Sequence, residues 1–107
     1  MAGRSGTSRM SAAEIARTGV LVRIPSALRS YTRGQDEVVL DAPNLAGMLE
    51  SLESSFPGIR HRVVDEAGRR RPFVNVFLNE DLVMTAFPDV ALKPGDIVHI
   101  LPSVAGG

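Results

Sequence analysis

The chain has 107 residues, enough for one domain with a modest core and too few for two. Hydrophobic residues make up 44% and charged residues 22%, which excludes a disordered polar chain, and no apolar run approaches the ~20 residues needed to span a bilayer. Twelve basic residues balance twelve acidic ones, so the basic footprint expected of a general nucleic-acid binder is absent.

Residues 1–18 are rich in Gly, Ser, Ala and Arg and show no apolar periodicity before Ile15. They read as a flexible tail. MAGRSGTSRM lacks the apolar centre of a secretory signal, so a cytoplasmic location is expected. Ser11 to Glu14 has capping-box spacing, which allows a short, marginal helix. Charge is uneven, with six Arg against Glu14 alone in residues 1–33; a basic arm meeting phosphate or an acidic partner is the alternative to a solvated tail.

Order is expected from residue 19 onward. In Val20 to Ile24, alternation places Val20, Val22 and Ile24 on one face of a strand and Arg23 on the other. Turn chemistry at Ser30, Thr32 and Gly34 separates it from a second strand, Glu37 to Leu40, giving an antiparallel hairpin with a long polar loop. Leu45, Met48, Leu49, Leu52 and Phe56 then form one face of an amphipathic helix, with Asn44 as N-cap and Pro57-Gly58 as its end. Glu50, Ser51 and Glu53 occupy its outer face.

Residues 59–72 read as an apolar-anchored turn followed by an exposed charged loop, and Phe73 to Leu78 as the clearest strand. Leu82-Val83 predicts a short returning strand, Leu92 a core plug between two turns, and Ile97 to Leu101 a last strand stopped by Pro102. This order predicts an α+β fold: a mixed, twisted sheet covered on one face by one main helix, the other face left to water or a partner.

The chain closes with ILPSVAGG, directly after Leu92-Lys93-Pro94-Gly95-Asp96 and the last strand. A β-grasp order, a final strand ending at Pro102 and a free Val104-Ala105-Gly106-Gly107 terminus together resemble the ubiquitin-like sulfur carriers of the ThiS/MoaD type. The likeness covers about residues 19–107, and FVNVFLNEDL with ILPSVAGG looks most like the branch that serves cysteine synthesis. The resemblance implies a β-grasp domain at 19–107 with a mobile tail at 102–107, monomeric when free. It further implies that an E1-like enzyme uses ATP to adenylate the Gly107 carboxyl, that a thiocarboxylate follows, and that sulfide passes to an acceptor such as a pyridoxal-phosphate-dependent cysteine synthase. Small-subunit service in molybdopterin synthase, sulfur supply to thio-containing secondary metabolites and a ubiquitin-like modifier role stay open as alternatives.

The chemistry of such a tail can be stated independently. A carboxylate is a poor acyl donor, because its charge repels nucleophiles and oxide is not a viable leaving group. Adenylation replaces oxide by AMP, which a sulfur nucleophile can displace. With no cysteine in the chain, that sulfur must come from elsewhere. The tail, with Val104, Ala105 and Gly106 entering a partner's active site, must pass down a narrow channel, where glycine at 106 and 107 permits close approach that a side chain would block.

Alternation also predicts an outward set beside the base of the tail. Ile97, His99 and Leu101 would face away from the helix, as would Phe73, Asn75 and Phe77, forming a docking patch of which Phe73, Phe77, His99 and Leu101 are the candidates. The opposite assignment, with Phe73 and Phe77 in the core, is left open by pattern alone.

Other candidates are weaker. His61 and His99 are the only histidines and lack metal-ligand spacing to any partner, so no metal is expected. Asp65-Glu66, Glu80-Asp81 and Arg69-Arg70-Arg71 read as solvated loop charges, although the arginines could meet an acidic partner. Gly68 stands alone without a phosphate-loop pattern, and no serine sits in a nucleophile elbow. The chain is expected to bind no ATP or other cofactor and to act as a co-substrate rather than an enzyme, with no nucleic-acid or membrane partner. Lys93 is the single lysine, which limits lysine-linked chains of such a protein to one site.

Overall fold

The computed structural model describes residues 19–84 and 87–102. The capping-box segment at 11–14, the rest of residues 1–18, and residues 103–107 lie outside the described residues.

Strands β1 (Val20–Arg23) and β2 (Glu37–Leu40) pair antiparallel, Val22 opposite Val38. The loop between them holds a 3-10 turn at Ser26–Leu28 that buries Leu28. Thr32 is fully buried there, its hydroxyl donating to the Gln35 carbonyl at 2.7 Å.

Helix α1 (Leu45–Ser55) follows the predicted stripe, with Leu45, Met48, Leu49 and Leu52 buried. Asn44 caps it, its side-chain oxygen accepting from the Gly47 N–H at 2.8 Å. Gly47 is required by close approach, since a Cβ there would sit 3.0 Å from the Pro43 ring. Gly58, at φ +100°, turns the chain away after Phe56.

The segment after it differs from the expected turn. Arg60–Val63 forms a short helix, α2, because Ile59, Val63 and Val64 are all driven into the core, at 1% exposure or less. Four residues carry no detectable amphipathic period, so the pattern could not announce it. Glu53, on the outer face as expected, also accepts the N–H groups of Gly58 at 2.8 Å and Arg60 at 3.0 Å and joins the two helices. Those bonds hold its carboxyl below the ordinary value, against the opposing effect of desolvation.

Strands β3 (Val74–Leu78), β4 (Asp81–Leu82) and β5 (Ile97–Pro102) complete a five-stranded sheet in the order β2-β1-β5-β3-β4. The central pair, β1 and β5, is parallel and the others antiparallel, which makes the sheet mixed. Val20, Val22, Ile24, Val76, Val98 and Ile100 meet the apolar stripe of α1, and Phe87 and Leu92 close the core's margin. Each fully buried Val, Ile or Leu in that layer is worth about 1.5–3 kcal/mol against exposure. Pro102 belongs to the ladder, opposite Val74, instead of beginning the tail. A strand's last residue can sit in extended register without the N–H that proline lacks.

Candidate functional site

The open face of the sheet is built by register. Arg23 lies beside His99, His99 beside Phe77 and Phe77 beside Leu82, so one row crosses four strands on the side away from α1. Glu37 extends it on β2, joined to Arg23 by a 3.4 Å ion pair. In the next row toward the end of β5, Leu101 stands opposite Asn75. The face therefore has a charged half and an apolar half, with His99 between them.

Exposure agrees with that geometry. Leu101 is 43% exposed, Leu82 41%, Phe73 61% and Met84 67%, the large apolar groups left exposed among the described residues. Phe77 and His99 are half-buried by their neighbours and line a shallow depression with Asn79 and Leu101. Phe73 and Phe77 are thus outside the core, and the inward positions of β3 are Val74, Val76 and Leu78. Leu82 and Met84 join the patch unannounced, because only the pairing of β4 with Phe77 reveals where that short strand points.

The foundation of β5 is polar and well tied. Asn79 donates its N–H to the Ile97 carbonyl at 2.6 Å and accepts the Ile97 N–H on Oδ1 at 3.0 Å, extending the ladder by one side chain. Asp96, only 6% exposed, accepts from the Lys93 N–H at 3.0 Å and from Asn79 Nδ2 at 3.3 Å. Both ends of the turn before β5 are thereby fixed, and the strand leaves it in a defined register.

Gly107, Gly106, Ala105 and Val104 lie outside the described residues. What the fold supplies for them is a starting point: β5 is paired with β1 over Ile97 to His99 and with β3 as far as Pro102. The charged loop is held partly by its own side chains. Asp65 accepts from Arg69 Nε at 3.2 Å, and Arg71 Nε donates to the His61 carbonyl. His61 and His99 sit on different elements, and among the described residues no three metal-ligating side chains gather. No helix among the described residues is long and apolar enough to cross a membrane.

Comparison with known proteins bears on this geometry. A family model described as the ThiS family matches residues 22–107. The sulfur carrier protein CysO of Mycobacterium tuberculosis is 38% identical over 91 residues, 82% of this chain and 98% of that protein. Its crystal structure superposes with a TM-score of 0.75 at 35% identity, covering 79% of this chain and 99% of the other. The crystal structure of the Amycolatopsis orientalis BexX/CysO complex matches with a TM-score of 0.75 and 35% identity, over 82% of this chain and 99% of that one. The small archaeal modifier protein 3 of Haloferax volcanii is 35% identical over 68 residues, 63% of this chain and 73% of that protein.

Proposed function

Because this chain belongs to the ThiS family, with the β-grasp fold of its ubiquitin-like relatives, we propose that it is a sulfur carrier whose Gly107 carboxyl is the cargo site. The observation that carries this reading is a family match running from the first strand through Gly107 itself, so that the glycine pair falls within the likeness. An E1-like partner grips the apolar half of the open face, through Phe77, Leu101 and Phe73, with His99 at its border. It uses ATP to form the Gly107 acyl adenylate with loss of pyrophosphate. Sulfide then attacks the acyl carbon, AMP leaves with the bonding pair, and the chain ends in a thiocarboxylate.

The loaded arm next enters an acceptor enzyme and gives up its sulfur. The relatives named CysO favour an acceptor in cysteine synthesis, such as a pyridoxal-phosphate-dependent cysteine synthase. The complex of a CysO with BexX supports docking onto a partner protein. The domain itself is a co-substrate, monomeric between encounters and working in the cytoplasm.

A second reading, attachment to other proteins as a modifier, is favoured by the likeness to an archaeal modifier protein. One experiment separates the two. The full chain and its Gly107 deletion are incubated with ATP, a sulfide source and an adenylating enzyme of the same organism, and intact masses are recorded. Exchange of one oxygen for sulfur on the C-terminal peptide, absent from the deletion variant, is the expected result. Unchanged mass with isopeptide adducts on other proteins would replace the carrier by the modifier.

A further inference from the structure

Two guanidinium groups are fixed beside the end of β5, one on each side. Just past β1, Arg29 donates Nε to the Ile24 carbonyl at 3.0 Å and borders a depression that includes Pro25, Ile100 and Leu101. On the other flank, Arg70 donates NH1 to the Val74 carbonyl at 2.6 Å and to the Arg71 carbonyl at 3.3 Å. Val74 is the cross-strand partner of Pro102. The last described strand residues therefore leave the sheet between two cations.

Neither cation is in an ion pair among the described residues, whose pairs are Arg23–Glu37 and Arg69–Asp65. A guanidinium has five N–H donors, so one or two bonds to carbonyls hold each group in place and leave donors for an outside acceptor. The neighbourhood stays positive on the Arg70 side: residues 60–71 hold five Arg against Asp65 and Glu66. On the Arg29 side, Asp36 and Glu37 border the same depression, and Glu37 is engaged by Arg23.

We propose that Arg29 and Arg70 bracket the arm and dock on carboxylates around the mouth of the activating partner's channel. The inference rests on the carrier reading above and adds the chemistry of the partner's rim. Distance separates that rim from the nucleotide. Residues 103–107 span at most about 18 Å when extended. An arm inserted to its full length puts the acyl carbon well beyond the reach of a guanidinium anchored at Ile24 or Val74. The matching acceptors are thus carboxylates at the entrance, which the planar fork pairs two bonds at a time. Paired charges at an entrance also steer association, an effect that salt screens within roughly 8–10 Å.

The test compares the wild-type chain with an Arg29→Gln/Arg70→Gln variant and an Arg29→Lys/Arg70→Lys variant, each checked for fold by circular dichroism. Association with the adenylating enzyme is followed by stopped flow at ~0.05 M and ~0.5 M salt. The Gln variant is expected to associate about tenfold more slowly at low salt and to lose most of the salt dependence, while the Lys variant keeps it and dissociates faster. Wild-type rates and salt dependence in the Gln variant overturn the proposal.

Because both arginines also hold backbone carbonyls, the wild-type chain is titrated with a decaglutamate peptide and its amide shifts mapped. Shifts centred on Arg29 and residues 69–74 support the bracket, and shifts elsewhere or none overturn it. Tighter binding of a single-stranded oligonucleotide of equal length would assign the cations to nucleic acid and overturn the acidic rim. Absence of sulfur exchange in the wild-type chain would reject the carrier reading, while the peptide map judges the bracket independently of it.

Discussion

Phe77 and His99 are directly opposite each other on the open face of the sheet, where β3 meets β5, and Leu82 flanks Phe77 on its other side. This pairing puts an aromatic ring in reach of a partner while its neighbours on the same strand, Val76 and Leu78, face the helix.

Replacing Phe77 by Asp therefore separates docking from folding. Capture by the adenylating enzyme should weaken about tenfold or more, as for an aromatic anchor at an interface. Circular dichroism and the melting temperature should stay near those of the parent. A collapsed spectrum would put Phe77 in the core.

Core positions behave in the opposite way. Leu52 is fully buried on α1, so Leu52→Ala should lower unfolding free energy by about 2–5 kcal/mol in urea titrations. A loss below ~1 kcal/mol would mean that α1 packs loosely on the sheet.

Asn79 does two jobs, holding φ +57° and accepting the Ile97 N–H. Asn79→Ala should cost about 1–3 kcal/mol, since it loses the acceptor and puts an ordinary β-carbon in left-handed backbone. Asn79→Gly relieves the backbone part only, so its stability should fall between Ala and the parent. Equal stability of Gly and parent would show that the Oδ1 bond contributes nothing.

The joint between the helices predicts an acid limb. The Gly58 and Arg60 N–H groups lower the folded-state pKa of Glu53 from 4.5, so its contribution is present above that value and is lost as pH falls through the depressed one. Glu53→Gln should flatten stability against pH in that range while lowering it at neutral pH. Part of the slope should survive, because Asp65 is also lowered, chiefly by its bond from the Arg69 N–H, with help from Ala67. An unchanged acid limb in Glu53→Gln would dissociate the joint from acid stability.

Several features were legible because their causes are local. The 3.6-residue stripe of Leu45 to Leu52 needs only one buried side, Asn44 caps through its own side chain, and the alternation in β3 and β5 follows from the pleat. The glycine pair and the likeness it carries are likewise written in the chain. Helix α2 was not legible, since Ile59, Val63 and Val64 adopt it to reach a core assembled by distant residues. The hydrogen bonds of Glu53 were not legible for a related reason: its partners are backbone N–H groups positioned only after the chain has turned at Gly58.

By itself, then, the sequence determined the elements, their apolar faces and the candidate cargo residue, all properties of neighbouring residues. Only the tertiary structure decided which outward residues stand together. Strand register joins Arg23, His99, Phe77 and Leu82 from opposite ends of the stretch 23–99, and loop packing sets Arg29 and Arg70 on either side of β5. Such neighbours are chosen by hydrogen-bonded pairing between distant strands, which alternation along one strand does not encode.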